Sequence, residues 1–403
     1  MNAHSAASGA VSGSPAKSSQ KNTRTQKASE RASERAPKRT PKRATLKDIA
    51  KVAGVSSTAV SLVLNNKPNR FTEETREQIR AIARDLNYVP NQSARSLATK
   101  SSSLLALIIP DIENLFFASL AKHMEAECKA AGYSLLIVDT GEDIVEQEQA
   151  LQRMIQFGID GLFIIPTYSS LEESASLRAR LLKTGFPVMF IDRIPERIVD
   201  EAEDPALADT ESNWRAFAYD HTRGGQLAAR AFLEQGHREF GMIGPVERTG
   251  RDKGNNSARF EGFLTELLRS GVRVPPERVK NGAFTVSAGR DYADELIDAG
   301  VTAVFCGNDL VAIGFTRRAR ERGLRVPEDI SVIGYDDVMT SFGLDFEFTT
   351  VKQDVSALAR VSCEAMLQAV GAGSGEVLSA AQRMTLLMPE LVERTTVASA
   401  RHA

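Results

Sequence analysis

The amino-acid sequence predicts an α/β protein with an N-terminal all-α helix-turn-helix domain and a larger, two-lobed domain with parallel sheets. From Thr45 onward, apolar side chains recur at helical spacing between capping residues. After Leu104, short apolar runs alternate with amphipathic stretches, the pattern of repeated β-α-β units. We therefore expect five segments: a disordered basic tail (1–43), a helix-turn-helix domain (44–90), a short helix and linker (91–103), a two-lobed domain (104–395) and a short tail (396–403).

Charge is distributed unevenly along the chain. The whole sequence carries −2, yet residues 1–43 carry +8 and residues 44–100 a further +4. The rest therefore carries −14, the difference between −2 and +12. A basic N-terminal region followed by an acidic remainder indicates that the N-terminal region binds a polyanion such as double-stranded DNA. The tail is poor in apolar residues, so we expect a solvated extension with weak DNA attraction rather than a specific binding arm.

Several functional classes are excluded by what the sequence lacks. No apolar run reaches the ~18 residues of a membrane span, and the first 43 residues have no apolar core of a secretory signal. Cys128, Cys306 and Cys363 are isolated thiols without a C-x-x-C pair, so we predict no metal site, no cofactor and a reducing cytoplasm. The sequence also lacks a G-x-S-x-G motif and a P-loop, so we do not expect an enzyme.

Capping residues define the predicted helices of the first domain. Thr45 caps the first helix with Asp48 as its partner in a capping box, and Gly54 ends it. Ser56 caps a second helix that runs to about Leu64. Two short helices joined by a Gly-containing turn predict a helix-turn-helix unit, although a small structural bundle would show the same spacing.

A third helix and a short amphipathic segment follow. Thr72 caps the third helix, whose buried stripe is predicted to be Ile79, Ile82 and Leu86. Residues 91–98 have the length of two helical turns, which are marginal alone in water. We expect this segment to become helical only on a surface such as DNA.

The strands of the second domain are short apolar runs. They are predicted at Leu104–Pro110, Ser134–Thr140, Gly161–Pro166, Pro187–Asp192, Phe240–Pro245, Thr302–Asn308 and Ser331–Asp337. Helical stretches such as Ser119–Ala131 and Val145–Phe157 lie between them, which indicates parallel sheets covered on both faces. About 300 residues of this pattern exceed one comfortable core, hence the two lobes. The acidic stretch 195–214 interrupts the pattern and is interpreted as a surface insertion.

The chain resembles the lactose-repressor (LacI/GalR) family over roughly residues 45–395. The resemblance is strongest in Thr45–Ser56 (TLKDIAKVAGVS) and continues, in the family's order, through Asn87–Asn91, Ala94–Leu97, Ile108–Asp111, Gly236–Arg238, Arg259–Phe263, Gly307–Asp309, Ile333–Asp337 and Thr349–Gln353. It implies a homodimeric, cytoplasmic, nucleoid-associated transcription regulator with a periplasmic-binding-protein-like effector domain. No leucine heptads follow Glu393, so we expect a dimer rather than a tetramer.

The resemblance implies that the second helix reads base edges in the major groove, through Ser57, Thr58 and Leu62. Many family members have Arg where this chain has Leu62, and leucine cannot make the bidentate contact to guanine, so we expect a different base there. Leu97 is expected to insert between two base pairs in the minor groove. Ala94 is small enough for two hinge helices to approach each other closely. The alternative is that Leu97 is a linker residue that packs on its own subunit. The expected DNA-contacting residues are Thr45, Ser56, Ser57, Thr58, Ser61, Leu62, Asn65, Asn91, Ala94 and Leu97. Phosphate contacts are expected from Lys47, Lys51, Asn66, Lys67 and Arg70.

A small-molecule effector is expected beyond the carboxyl ends of the strands, where parallel α/β folds bind ligands. The candidate residues are Asp111, Phe116, Phe117, Asp192, Arg259, Phe284, Asn308, Asp336 and Gln353. Arg259, which is expected to open the helix after Gly244-Pro245, supplies a pair of hydrogen-bond donors. The carboxylates can accept hydrogen bonds from hydroxyl groups, and the phenylalanines can stack on a ring. This combination of side chains suits a sugar. Purely structural roles remain open for some of these residues. Arg259 and Asp336 could form a salt bridge between the lobes, Asp309 could cap the next helix, and Phe117 could belong to the core.

The leading hypothesis is a DNA-binding regulator, most often a repressor in this family, whose affinity for a pseudo-palindromic operator is set by a sugar or sugar derivative. Its alternative is a regulator that needs its ligand, a purine or another metabolite, to bind DNA. A solute-binding receptor would have a signal peptide and no helix-turn-helix domain, the reverse of this sequence. A sugar-processing enzyme would need a nucleophile or an acid/base pair that the sequence does not offer.

Overall fold

The computed structural model describes residues 44–89, 101–167, 171–181, 183–194, 214–245, 255–343, 347–371 and 383–400. The chain divides into two compact units, the first ending at Asn91 and the second beginning at Gln92. The predicted tail, the hinge residues Asn91, Ala94 and Leu97, and the acidic stretch up to residue 213 lie outside the described residues. No helix in the described ranges is both long and apolar enough to cross a membrane.

The described part of the first unit is a bundle of three helices: α1 (Leu46–Ala53), α2 (Ser57–Leu64) and α3 (Glu73–Asp85). The predicted caps are all present. Thr45 Oγ1 accepts from the Asp48 N–H, and the Asp48 side chain accepts from the Thr45 N–H at 2.8 Å, which completes the capping box. Gly54 ends α1 at φ 69°, a left-handed conformation that favours glycine.

The core of this bundle is small. It consists of the buried residues Ile49, Ala50, Val60, Val63, Ile79 and Ala83. Leu86 was predicted in the buried stripe, but it is 37% exposed because α3 ends at Asp85 and the chain turns away. Ala83, one turn after Ile79, takes its place in the core.

The second unit holds two six-stranded sheets. The first sheet consists of β1 (Leu104–Ile109), β2 (Ser134–Asp139), β3 (Gly161–Ile164), β4 (Val188–Ile191), β5 (Trp214–Tyr219) and β11 (Met384–Leu387). The second consists of β6 (Phe240–Gly244), β7 (Val279–Asn281), β8 (Ala303–Cys306), β9 (Ser331–Asp336), β10 (Thr349–Lys352) and β12 (Glu390–Val392). Their orders are β11-β5-β4-β3-β1-β2 and β12-β10-β9-β8-β6-β7. Within the described residues, every strand pairing is parallel except that of β10 with β12.

Helices cover these sheets, which define a first and a second lobe. They are α4 (Leu115–Ala130), α5 (Ile144–Phe157), α6 (Leu171–Leu181), α7 (His221–Glu234), α8 (Asn255–Arg269), α9 (Val286–Asp291), α10 (Ala293–Asp298), α11 (Asp309–Glu321) and α12 (Val355–Gly371), with 3₁₀ turns at Pro276–Arg278 and Met339–Phe342. The predicted helix Ser119–Ala131 begins four residues earlier, because Asn114 caps it at the Phe116 N–H.

The chain crosses between the lobes three times, after β5, after β10 and after β11. After the second crossing, α12 packs Leu358, Ala359 and Met366 into the core of the first lobe. All seven predicted strands occur within two residues of their predicted bounds, whereas five others were missed. Trp214 was interpreted as the end of an insertion, but it begins β5.

Two glycines allow α7 and α8 to pack backbone to backbone. A Cβ at Gly225 would lie 1.8 Å from the carbonyl oxygen of Arg259, and a Cβ at Gly262 would lie 2.0 Å from that of Thr222. Only glycine fits at such a distance. The contact fixes the part of α8 that carries Arg259.

Candidate functional site

The exposed face of α2 carries the residues predicted to read bases. Ala59, Val60 and Val63 face the core, whereas Thr58 and Asn65 are exposed and Ser57, Ser61 and Leu62 are half-buried. The Asn65 side-chain amide donates to the Ser61 carbonyl at 2.8 Å. The structure thus brings these five predicted residues to one face. Thr45 and Ser56 differ, because their side-chain oxygens already cap α1 and α2.

Basic residues near this face divide into paired and unpaired groups. Arg76, Arg80 and Arg84 form ion pairs with Glu73 or Glu77 within α3. Of the residues predicted to contact phosphates, Asn66 accepts from Arg80 at 3.1 Å. The others, Lys47, Lys51, Lys67 and Arg70, are exposed and form no ion pair with any residue that the structure describes. Exposed cations of this kind are suited to phosphate contacts.

The second unit contains a narrow cleft between its lobes, which is partly open to solvent and has about 20 Å³ of space accessible to water. It is lined by Asn114, Phe116, Phe117, Asp192, Arg193, Arg259, Phe284, Asp336 and Gln353. Seven of the nine predicted effector residues are among them. The other two, Asp111 and Asn308, are used elsewhere.

Asp111 and Asn308 stabilise local turns. Asp111 accepts from the Glu113 N–H at 2.8 Å. Asn308 caps α11 by accepting from the Val311 N–H at 2.9 Å, and its amide donates to the Phe284 carbonyl at 3.3 Å.

The suggestion that Asp309 is the cap is therefore wrong; Asp309 is the first helical residue and accepts from Thr350 Oγ1 at 2.7 Å. Burial is the main cause of the raised pKa of Asp309.

Arg259 is the central cation of the cleft and is buried. It lies in the second turn of α8 rather than opening the helix, as the sequence suggested. Its Nη1 donates to the Gly307 carbonyl and lies 3.8 Å from Asp336 Oδ1. Its guanidinium carbon lies 4.0 Å from the Tyr335 ring centroid and 5.1 Å from that of Phe284. Within the described residues, Arg259 Nε has no hydrogen-bond partner, so one donor is available to a ligand.

Asp336 and Gln353 provide acceptors beside Arg259. The Gln353 amide donates to Asp336 Oδ1 at 2.8 Å, and its own Oε1 is buried without a hydrogen-bond partner among the described residues. Burial raises the pKa of Asp336 to about 6, although Arg259 and Gln353 oppose this shift. A buried acceptor without a partner is costly, so a ligand that donates a hydrogen bond would stabilise this site.

The first lobe contributes a carboxylate and two aromatic rings. Asp192 follows β4 at φ 61°, and its Oδ1 lies 3.4 Å from Nε2 of His221 in the second lobe. Burial alone would raise the pKa of Asp192, but His221, Arg259 and Arg193 outweigh it and the pKa is lowered. Phe116 and Phe117 pack edge to face at 5.6 Å, and both also belong to the core of the first lobe. Phe117 is therefore a core residue that also lines the cleft.

Two cleft residues, Asn114 and Arg193, are not among the predicted effector residues. Both line the cleft, and Arg193 pairs with Glu142 at 2.8 Å. His221 is also absent from the prediction; it contacts Asp192 from beside the cleft. The signal that could have identified it is its position after the end of a strand, but β5 was not among the predicted strands.

Comparisons with known proteins agree with this geometry. Residues 45–91 match the model of bacterial regulatory proteins of the lacI family, and residues 229–397 match a periplasmic binding protein-like domain. The HTH-type transcriptional repressor PurR of Pasteurella multocida is 30% identical over 360 residues, which cover 88% of this chain and 99% of that protein. PurR of Salmonella paratyphi B is 32% identical over 88% of this chain and 97% of its own length. The crystal structure of the Lac repressor dimer bound to operator and the anti-inducer ONPF superposes with a TM-score of 0.72 at 26% identity, covering 89% of this chain and 100% of that one.

Proposed function

The chain belongs to the lacI family of bacterial regulatory proteins, and we propose that a small molecule in the cleft between its lobes sets the affinity of this transcriptional regulator for operator DNA. The predicted family, the fold class and the role in DNA-binding regulation are confirmed by the same comparisons. We assign DNA binding to residues 44–90, the hinge and linker to 91–103, and effector binding and dimerisation to 104–395. We place the protein on the nucleoid, in the cytoplasm.

One observation carries the proposed effector site: in the cleft, the buried atoms Arg259 Nε and Gln353 Oε1 have no hydrogen-bond partner among the described residues. Buried polar groups are normally paired. Such groups on the wall of a cleft are complementary to a ligand that both accepts and donates hydrogen bonds.

We propose that the effector is an uncharged molecule rich in hydroxyl groups, such as a sugar. Both cations of the cleft already have partners. Arg193 forms an ion pair with Glu142, and Arg259 donates to the Gly307 carbonyl and lies beside Asp336. Asp192 and Asp336 would repel a phosphate or carboxylate. A purine is the second candidate, favoured by the aromatic rings of Phe116, Phe117 and Phe284 around the same space.

Thermal-shift measurements on the full-length chain test this proposal. Neutral sugars, purines and sugar phosphates are compared at equal concentration, because a ligand that binds only the folded state raises Tm. The active compound should also change the affinity for a DNA duplex that the protein selects from a random pool. A sugar phosphate that outperforms its uncharged parent sugar would contradict the proposed ligand class.

The carboxyl group of Asp336 predicts a pH dependence of effector binding. A ligand that donates a hydrogen bond to Asp336 binds its ionised form and lowers its pKa in the complex. Because the pKa of the free site is about 6, affinity should be greatest above that pH and weaken as the pH falls through it. Calorimetric titrations should show a loss approaching about tenfold per pH unit below the transition. The Asp336→Asn variant should bind weakly with little pH dependence; wild-type affinity that increases on acidification would show that the ligand accepts from Asp336 instead.

Leu62 is proposed to determine one base of the operator. Leu62→Arg should introduce a preference for guanine at that base worth about 1–3 kcal/mol. Selection of duplexes from a random pool by the wild type and the variant measures this preference. Lys51→Ala is the control, since loss of an exposed cation should weaken binding evenly across sequences. Wild-type sites that already carry the guanine read by Arg in relatives would refute the assignment.

A further inference from the structure

His221 contacts both lobes beside the cleft, behind Asp192 of its lining. It is the first residue of α7 in the second lobe and is 3% exposed. Its Nε2 lies 3.4 Å from Oδ1 of Asp192, which follows β4 in the first lobe and is also buried. The imidazole therefore spans the boundary between the lobes next to the proposed ligand.

The other side of the imidazole is held within the second lobe. Nδ1 lies 3.0 Å from the Tyr335 hydroxyl, and the Tyr335 ring lies 4.0 Å from the guanidinium carbon of Arg259. A Cβ at Gly224 would lie 2.2 Å from that hydroxyl, so the glycine leaves room for it. A continuous series of contacts thus runs from Asp192 through His221 and Tyr335 to Arg259.

The protonation state of the imidazole determines what each ring nitrogen offers to its neighbour. Burial, the largest effect, lowers the pKa of His221 and keeps the imidazole neutral, although Asp192 and Asp220 oppose it. A neutral imidazole has one donor and one acceptor, and an ionised carboxylate only accepts. Nδ1 therefore accepts from the Tyr335 O–H, which leaves the ring proton on Nε2. Nε2 lies 3.4 Å from Asp192 Oδ1, a polar contact between the lobes without the geometry of a hydrogen bond.

We propose that His221 is a positioning residue of the effector switch: it holds the lobes together in the ligand-free chain and sets the position of Asp192 relative to Arg259. The inference rests on the proposed function in one respect: it assumes that the effector controls the closure of this cleft. Loss of the Nε2 contact should let the lobes separate, while loss of the Nδ1 contact alone leaves a gap inside one lobe.

Lobe separation is measured by thiol labelling in a full-length Met339→Cys background. Met339 is half-buried in the 3₁₀ turn of the second lobe and lines a narrow space with Asn114 and Leu115 of the first lobe. The native residues Cys128, Cys306 and Cys363 are buried, so a maleimide should react chiefly with the introduced thiol. Neither DNA nor effector is present, so the result does not depend on which effector class is correct.

We expect His221→Phe to raise the labelling rate at least tenfold. His221→Gln, whose amide reaches the position of Nε2, should stay within about threefold of the wild type, whereas His221→Asn, which reaches only the position of Nδ1, should behave like His221→Phe. His237→Gln is the matched control, because this buried histidine contacts Thr302 and Ser331 of its own lobe at 2.9 and 3.0 Å.

Two outcomes would overturn the proposal. One is an unchanged labelling rate in the His221→Phe chain. The other is protection by His221→Asn that equals or exceeds protection by His221→Gln, which would make His221 a structural residue of the second lobe. If His221→Phe fails to fold, as judged by circular dichroism, the comparison of the Gln and Asn variants decides alone.

Discussion

Arg259→Ala is expected to abolish the thermal shift produced by the effector, with a loss of at least about 30-fold in affinity. Removing one partner of a buried, charged hydrogen-bonded group costs about 2–5 kcal/mol. The substitution also leaves Asp336 buried without its cation, which raises the carboxyl pKa further because Arg259 is the main group that lowers it. Isothermal titration against the compound found by the thermal-shift screen measures the loss.

The control for this prediction is Arg230→Ala. Arg230 lies in α7 of the same lobe and pairs with Glu266 at 2.7 Å, with its side chain 41% exposed. Ion pairs this exposed contribute about 0–1 kcal/mol, so binding should stay near the wild-type value. A preserved response in the Arg259→Ala chain would place the effector outside the cleft.

Gly225→Ala is expected to destabilise the second unit by about 3 kcal/mol or more, the upper range for overpacking. The added methyl group would meet the carbonyl oxygen of Arg259 at 1.8 Å, and a main-chain atom cannot move aside as a side chain can. Calorimetry should show a fall in Tm of about 6–12 °C. Any folded variant should also bind the effector more weakly, because separating α7 from α8 displaces Arg259.

Gly371→Ala provides the matched control. Gly371 ends α12, has no atom within 4 Å of the position of an added Cβ, and has no left-handed φ. Alanine has the higher helix propensity, so this variant should be as stable as the wild type or slightly more stable. Equal stability of the Gly225→Ala and wild-type chains would mean that α7 and α8 do not pack as described.

Most of the fold could be predicted because local signals were strong. Thr45, Ser56 and Thr72 each cap a helix at a point where an oxygen-bearing side chain precedes an apolar periodic stretch. The missed strands lacked such signals. β7 and β12 have three residues each, and β5 begins with Trp214 directly after an acidic stretch.

The sequence predicts which strand-end residues line the cleft, but not the contacts that these residues make with one another and with His221. Asp192 and Asp336 follow β4 and end β9, so topology alone brings them to one edge. His221 could not be placed without β5, and its partners lie far away in the sequence. Asn308 was assigned to the ligand because the sequence does not reveal whether a side-chain oxygen is used by its own helix.

The three crossings between the lobes constrain the order in which the protein is completed during synthesis. The first lobe needs α12 for its core and β11 for its sheet, and β11 ends at Leu387. The ribosome has by then already made β6 to β10 of the second lobe. The first lobe is therefore completed only after these five strands of the second lobe have been made, and an incomplete chain that stops before residue 355 exposes the apolar surface that α12 would cover. Such fragments are natural substrates for chaperones and proteases.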